Sequence, residues 1–161
     1  MMDEGPFMFV HEVTGTYLET DNYNDNVGEP VQTWNEDPLK TDKGLLGHLW
    51  YTEATANGGY LIKSYENSRC LTASAAKASD LPRLQDHAKN DPKQRWTLRQ
   101  GLYGDTSDDY AIIPELYPGY ALSVLGNSAL NNVYVVPIPM WGDTPSLVHF
   151  WKRVPATTSG S

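Results

Sequence analysis

The chain has 161 residues with 12 Lys and Arg against 20 Asp and Glu, a net charge of −8, which argues against a phosphate-backbone partner because such binding needs concentrated cations. Apolar residues make up 40%, enough over this length for one domain with a real core, and no apolar run approaches a membrane span, so membrane insertion is not expected. Cys70 is the single cysteine, so there is no intrachain disulfide; with no signal-peptide layout at the N-terminus either, the compartment stays open.

Taken in order, the chain offers short segments of β-branched and aromatic residues separated by turn signals, without a long run at helical spacing. That pattern predicts an all-β domain. The first third gives strands at Pro6–His11, Tyr17–Thr20 and Pro30–Trp34, then one carrying Trp50. The Asn/Asp-rich stretch 21–28 reads as a loop, and 35–44 as a long polar connection. The second third repeats the order: Gly59–Ser64, Arg69–Ala73, Arg83–Asp86 and a strand carrying Trp96. The last third gives Asp109–Pro114, Tyr120–Val124, Val133–Pro137 and a strand carrying Trp151. The small, polar tail 157–161 is expected to be disordered.

The three Trp residues lie 46 and 55 residues apart, and each follows by two positions a side chain that can hydrogen-bond: His48, Gln94 or His149. Leu18, Leu71 and Leu122 hold a second equivalent position. About twelve strands in three units of four are therefore expected. One such unit could not bury its own apolar face, but three around a common axis could. The repeats run over about 5–53, 58–99 and 108–154, within one domain spanning 1–156.

Three strand units ending in Gln-x-Trp resemble the ricin B-type (R-type) lectins, which fold as β-trefoils. The resemblance covers about residues 5–154. Only the middle repeat keeps Gln94-Arg95-Trp96 intact; the others read His-x-Trp. In that family the motif is mainly structural, so it supports the fold more than the activity. The resemblance implies a carbohydrate-binding function, free-standing or as a defence protein or toxin-targeting module.

Sugar recognition on such a scaffold combines a carboxylate or amide for paired hydroxyls with an aromatic face for the apolar side of the ring. In the family the acid follows the apolar position of a repeat's second strand; here those positions are Glu19, Thr72 and Ser123. Only repeat one keeps an acid, a Glu in place of the usual Asp. Its third strand supplies Gln32 and, two residues on and on the same face, Trp34. Repeat one is therefore the expected site: Glu19, Asp21, Gln32, Trp34 and Asn35. Lesser candidates are Asp86, His87 and Asn90 in repeat two, and Asn131, Asn132 and Trp141 in repeat three.

The four histidines lack metal-ligand spacing, and His48 and His149 read as hydrogen-bonding stand-ins for Gln94. Cys70 reads as a small core residue. Acid pairs such as Asp108-Asp109 lie in turn-rich stretches with nothing to raise one pKa, so a glycosidase pair is not expected. No catalytic residue, metal or cofactor is assigned. The expected partners are glycans or glycoproteins, not nucleic acid, with a homodimer or a toxin partner open. Two other functions remain: a protease inhibitor using the loops 35–46, 99–109 and 138–147, or a purely structural trefoil.

Overall fold

The computed structural model describes residues 4–20, 25–38, 45–101 and 108–155. Asp21 and the tail 157–161 lie outside the described residues. The strands are β1 (Glu4–His11), β2 (Tyr17–Thr20), β3 (Val31–Trp34), β4 (Trp50–Ala54), β5 (Tyr60–Ser64), β6 (Cys70–Thr72), β7 (Arg83–Gln85), β8 (Trp96–Gln100), β9 (Asp109–Pro114), β10 (Tyr120–Val124), β11 (Val133–Pro139) and β12 (Phe150–Pro155). β1 pairs with β4 and β12, β4 with β5, β5 with β8, β8 with β9, and β9 with β12. Six strands thus close a ring, which leaves them without free edges.

The other six strands form three hairpins, β2–β3, β6–β7 and β10–β11. β3 also pairs with β11, and Pro30 bridges to Arg83, so the hairpins join one another. A six-stranded barrel with three linked hairpins is the β-trefoil that the sequence predicts. The strand positions agree as well; β1 starts two residues earlier than expected, at Glu4, and β11 runs two further, to Pro139.

Each third supplies the same core set. Phe9, Ile62 and Ile112 come from the barrel, Leu18, Leu71 and Leu122 from the hairpins, and Trp50, Trp96 and Trp151 from the closing strands; all are buried in one cluster. A buried indole N–H must find an acceptor. Here Nε1 of Trp50, Trp96 and Trp151 donates to the carbonyls of Leu18, Leu71 and Leu122 at 3.1, 2.9 and 3.1 Å. The two sequence periodicities, Leu and Trp, are therefore the two ends of one repeated hydrogen bond. Cys70 is buried beside Leu71, and burial pushes its thiol up to about 11, so it packs as a small inert residue.

The residue two before each Trp ends a short 3₁₀ turn: Leu45–His48, Pro92–Gln94 and Leu147–His149. Gln94 accepts the Ala88 N–H at 2.9 Å and donates to the Asp86 carbonyl at 2.9 Å. His149 makes the same double tie, accepting the Ser146 N–H on Nδ1 at 3.0 Å and contacting the Pro139 carbonyl through Nε2 at 3.2 Å. Imidazole replaces amide because both offer one donor and one acceptor in a plane. His48 takes a different partner, described next.

Candidate functional site

In repeat one, β2 and β3 pair with Glu19 directly opposite Gln32. Directly opposed residues share a face, so their side chains meet. Gln32 Nε2 donates to Glu19 Oε1 at 2.7 Å, and His48 Nε2 lies 2.9 Å from Glu19 Oε2. Both carboxylate oxygens are thus engaged by the protein. Glu19, Gln32 and His48 are 2%, 3% and 1% exposed. Gln32 also donates to Asn132 Oδ1 at 2.9 Å. The structure therefore brings Glu19 and Gln32 together, but as an interior polar cluster; the sequence expectation had them face a ligand.

The remaining repeat-one residues lie further out. Trp34, at the end of β3 opposite Tyr17, is half-buried, and Asn35 is exposed. The Asn35 backbone N–H donates to Asn131 Oδ1 at 2.7 Å, and its side chain contacts the Ala129 carbonyl. Asn131 and Asn132, candidates for repeat three, thus serve to dock that repeat's hairpin onto β3.

Repeat two keeps the register and changes the side chains. Thr72 stands opposite Arg83 where Glu19 stands opposite Gln32, and Gln85 stands opposite Cys70 where Trp34 stands opposite Tyr17. Thr72 is shorter than Glu by two heavy atoms, and the following Ala73-Ser74-Ala75 is a run of small residues. The result is an open cleft of about 610 Å³, bordered by Thr72, Ser74, Asp80, Arg83, Gln85, Asp86 and Lys93 among others. Gln94 closes its floor by donating to Thr72 Oγ1 at 3.2 Å. Of the repeat-two candidates, Asp86 borders the cleft and pairs with Arg69 at 2.6 Å. His87 and Asn90 face a smaller hollow of about 190 Å³ beside the β4–β5 hairpin.

Sequence reasoning missed most of this cleft, because its lining holds no aromatic and its acids, Asp80, Asp86 and Asp91, come from separate segments rather than from the expected strand position at Thr72. Gln85 was the available signal: it occupies the place of Trp34. No aromatic side chain borders the cleft among the described residues; the Tyr117 hydroxyl donates to the carbonyl of the lining residue Ala75 at 3.3 Å.

Repeat three puts its matching residues to other uses. Ser123 is buried and donates to the Val148 carbonyl at 2.7 Å. Trp141 is 92% exposed. It starts a tight turn in which Gly142 and Asp143 both have positive φ, and it bridges to Thr144.

No family model matches the chain, and no curated protein matches it by sequence. Solved structures do match. The earthworm R-type lectin C-half in complex with GalNAc superposes with a TM-score of 0.67 at 16% identity, over 94% of this chain and 98% of the lectin. The Rhizoctonia solani agglutinin gives 0.72 at 16% identity, over 94% of each chain. A mosquitocidal holotoxin gives 0.78 at 15% identity, over 98% of this chain and 18% of the toxin. Identities this low speak to architecture alone, and on that evidence the chain has the β-trefoil fold of the R-type lectins.

Proposed function

We propose that this protein binds carbohydrate, and that its principal sugar site is the repeat-two cleft. The observation that carries the proposal is the contrast in access: repeat two has an open polar hollow at the hairpin positions where repeat one buries Glu19 and Gln32. The cleft fits a monosaccharide or a chain end in size, since ligand pockets begin at about 300 Å³. Its polar groups converge from β6, β7 and the turn before β8, and the Gln85 amide offers both a donor and an acceptor to vicinal hydroxyls. Tyr117, whose hydroxyl donates to the carbonyl of the lining residue Ala75, is the aromatic side chain proposed to meet the apolar side of the sugar ring.

Repeat one is a second, shallower position. Trp34 and Asn35 are its accessible residues, with Asp21 close in sequence, while Glu19 and Gln32 stand behind them and fix the hairpin. Two shallow positions add avidity on a multivalent glycan. The role proposed is attachment rather than turnover, as a lectin or as the targeting part of a larger protein such as a toxin. The similar domain that forms part of the mosquitocidal holotoxin supports that context.

The test is a glycan array followed by calorimetry on the parent, Gln85→Ala and Trp34→Ala. Gln85→Ala should lose the larger share of the affinity. Binding that survives Gln85→Ala and disappears with Trp34→Ala would move the principal site to repeat one. An array without any hit, joined to inhibition of a protease, would replace sugar binding with loop-mediated inhibition.

A further inference from the structure

The cations of the repeat-two cleft carry an inference about ligand class, one that rests on the sugar-binding role proposed above. Arg83 and Lys93 both border the cleft. They sit on either side of the end of β6: Arg83 pairs with Thr72, and the Lys93 carbonyl accepts the Ala73 N–H at 2.8 Å. Repeat one has neither charge at the matching positions, where Gln32 stands for Arg83 and Gly47 for Lys93.

The acids of the cleft are already occupied. Asp80 accepts from Ser74 Oγ at 3.1 Å, Asp86 pairs with Arg69 at 2.6 Å, and Asp91 accepts the Lys93 backbone N–H at 3.0 Å. The cations are less engaged. Arg83 donates from Nη1 to the Gly28 carbonyl at 2.9 Å, and the rest of its fork meets no protein acceptor among the described residues. The Lys93 ammonium comes only within 3.9 Å of Asp91, beyond hydrogen-bond distance. Asp80, Asp86 and Asp91 line the cleft with Arg83 and Lys93; Arg69, outside the lining, pairs with Asp86, which leaves two acids beside two cations on a chain of charge −8. Distant surface acids are screened over about 8 Å at physiological salt. An arriving anion therefore meets donors rather than a repulsive field.

We propose that the cleft selects an anionic glycan, holding a sugar carboxylate or sulfate with the Arg83 guanidinium and the Lys93 ammonium. The planar Arg fork matches the two oxygens of either group, and Lys adds a point charge. Thr72, Ser74 and Gln85 are left to bind the hydroxyls of the same ring.

The experiment uses the full chain on an array with four arms: neutral oligosaccharides, uronate-containing, sialylated and sulfated glycans. Each anionic glycan is matched to its carboxyl-reduced or desulfated form. The expected result is binding in an anionic arm, weaker by about tenfold for the matched neutral form. The uronate and sialylated arms against the sulfated arm identify which anion is held. Arg83→Gln and Lys93→Gln should each lower that affinity by about tenfold with an unchanged thermal midpoint, and Arg83→Lys should recover part of it. Added salt should weaken the parent more than either variant. Equal binding of neutral and anionic forms, or anionic binding indifferent to both substitutions, would overturn the inference while leaving sugar binding intact. A folded protein that binds no glycan in any arm would remove both.

Discussion

Repeats one and two fold by the same rules and put the same hairpin positions to different uses. In repeat one, the opposed pair Glu19–Gln32 turns inward and is locked by His48. In repeat two, the opposed pair is Thr72–Arg83; the threonine caps the floor with Gln94 and the arginine is exposed beside the cleft. The repeat with the expected acid and amide buries both, and the repeat without that acid has an open cleft. The comparison shows that a side chain able to bind hydroxyls can be consumed by its own neighbours. Burial of a carboxylate is costly unless paired, so a Glu one methylene longer than Asp, with His48 and Gln32 in reach, finds partners inside the fold.

The largest effects are expected where the repeats are alike. Trp96→Ala removes a fully buried ring and its bond to Leu71, and should cost about 4 kcal/mol in a denaturant titration. Trp50→Ala should cost about the same, since its bond to Leu18 is equivalent; a much smaller value for either would deny the pseudo-symmetry. Next comes the difference itself. Glu19→Ala leaves His48 and Gln32 facing an emptied interior and should cost about 3 kcal/mol. Thr72→Ala, at the matching position, loses one hydrogen bond to Gln94 and should cost about 1 kcal/mol. Equal losses at the two positions would mean that the Glu19 cluster is not structural.

Binding effects are smaller. Gln85→Ala should weaken a glycan hit by about 1 kcal/mol in calorimetry while leaving stability unchanged. Trp34→Ala should weaken it by less.

The least of the expected effects is a pH dependence that distinguishes His-x-Trp from Gln-x-Trp. Burial lowers the His149 pKa below its ordinary 6.5, only partly offset by backbone bonds to Pro139, Ile138 and Ser146. Below 6.5 the unfolded chain then takes up the proton first, so stability is lost as pH falls through that value and regained as it rises. His149→Gln, which restores the repeat-two motif, should flatten the thermal midpoint against pH just below 6.5. His11, also lowered by burial, sustains the remaining slope.

Much of the fold was legible because its signals are local and repeated. Leu18, Leu71 and Leu122 and the three tryptophans mark both ends of one hydrogen bond, so a strand count and a threefold order follow from spacing alone. Gln94, His48 and His149 could be matched by chemistry for the same reason. The site was less legible, because access is a property of packing. Nothing in the order of residues shows that His48 folds back onto Glu19, or that Asn131 and Asn132 reach across to β3. The cleft arises from what is missing, a long side chain at Thr72 and a bulky one at Gln85, and absence has no motif.

Ligand entry through repeat two should leave its mark on the backbone amides of β6 and β7 and of the turn before β8. The most direct measurement is a titration of the isotope-labelled protein with an array hit, following backbone amide chemical shifts. Shifts should concentrate at Thr72–Ala75, Arg83–Asp86 and Lys93–Gln94, with Glu19 and Gln32 unmoved. Shifts centred on Glu19, Gln32 and Trp34, with the cleft amides silent, would contradict it.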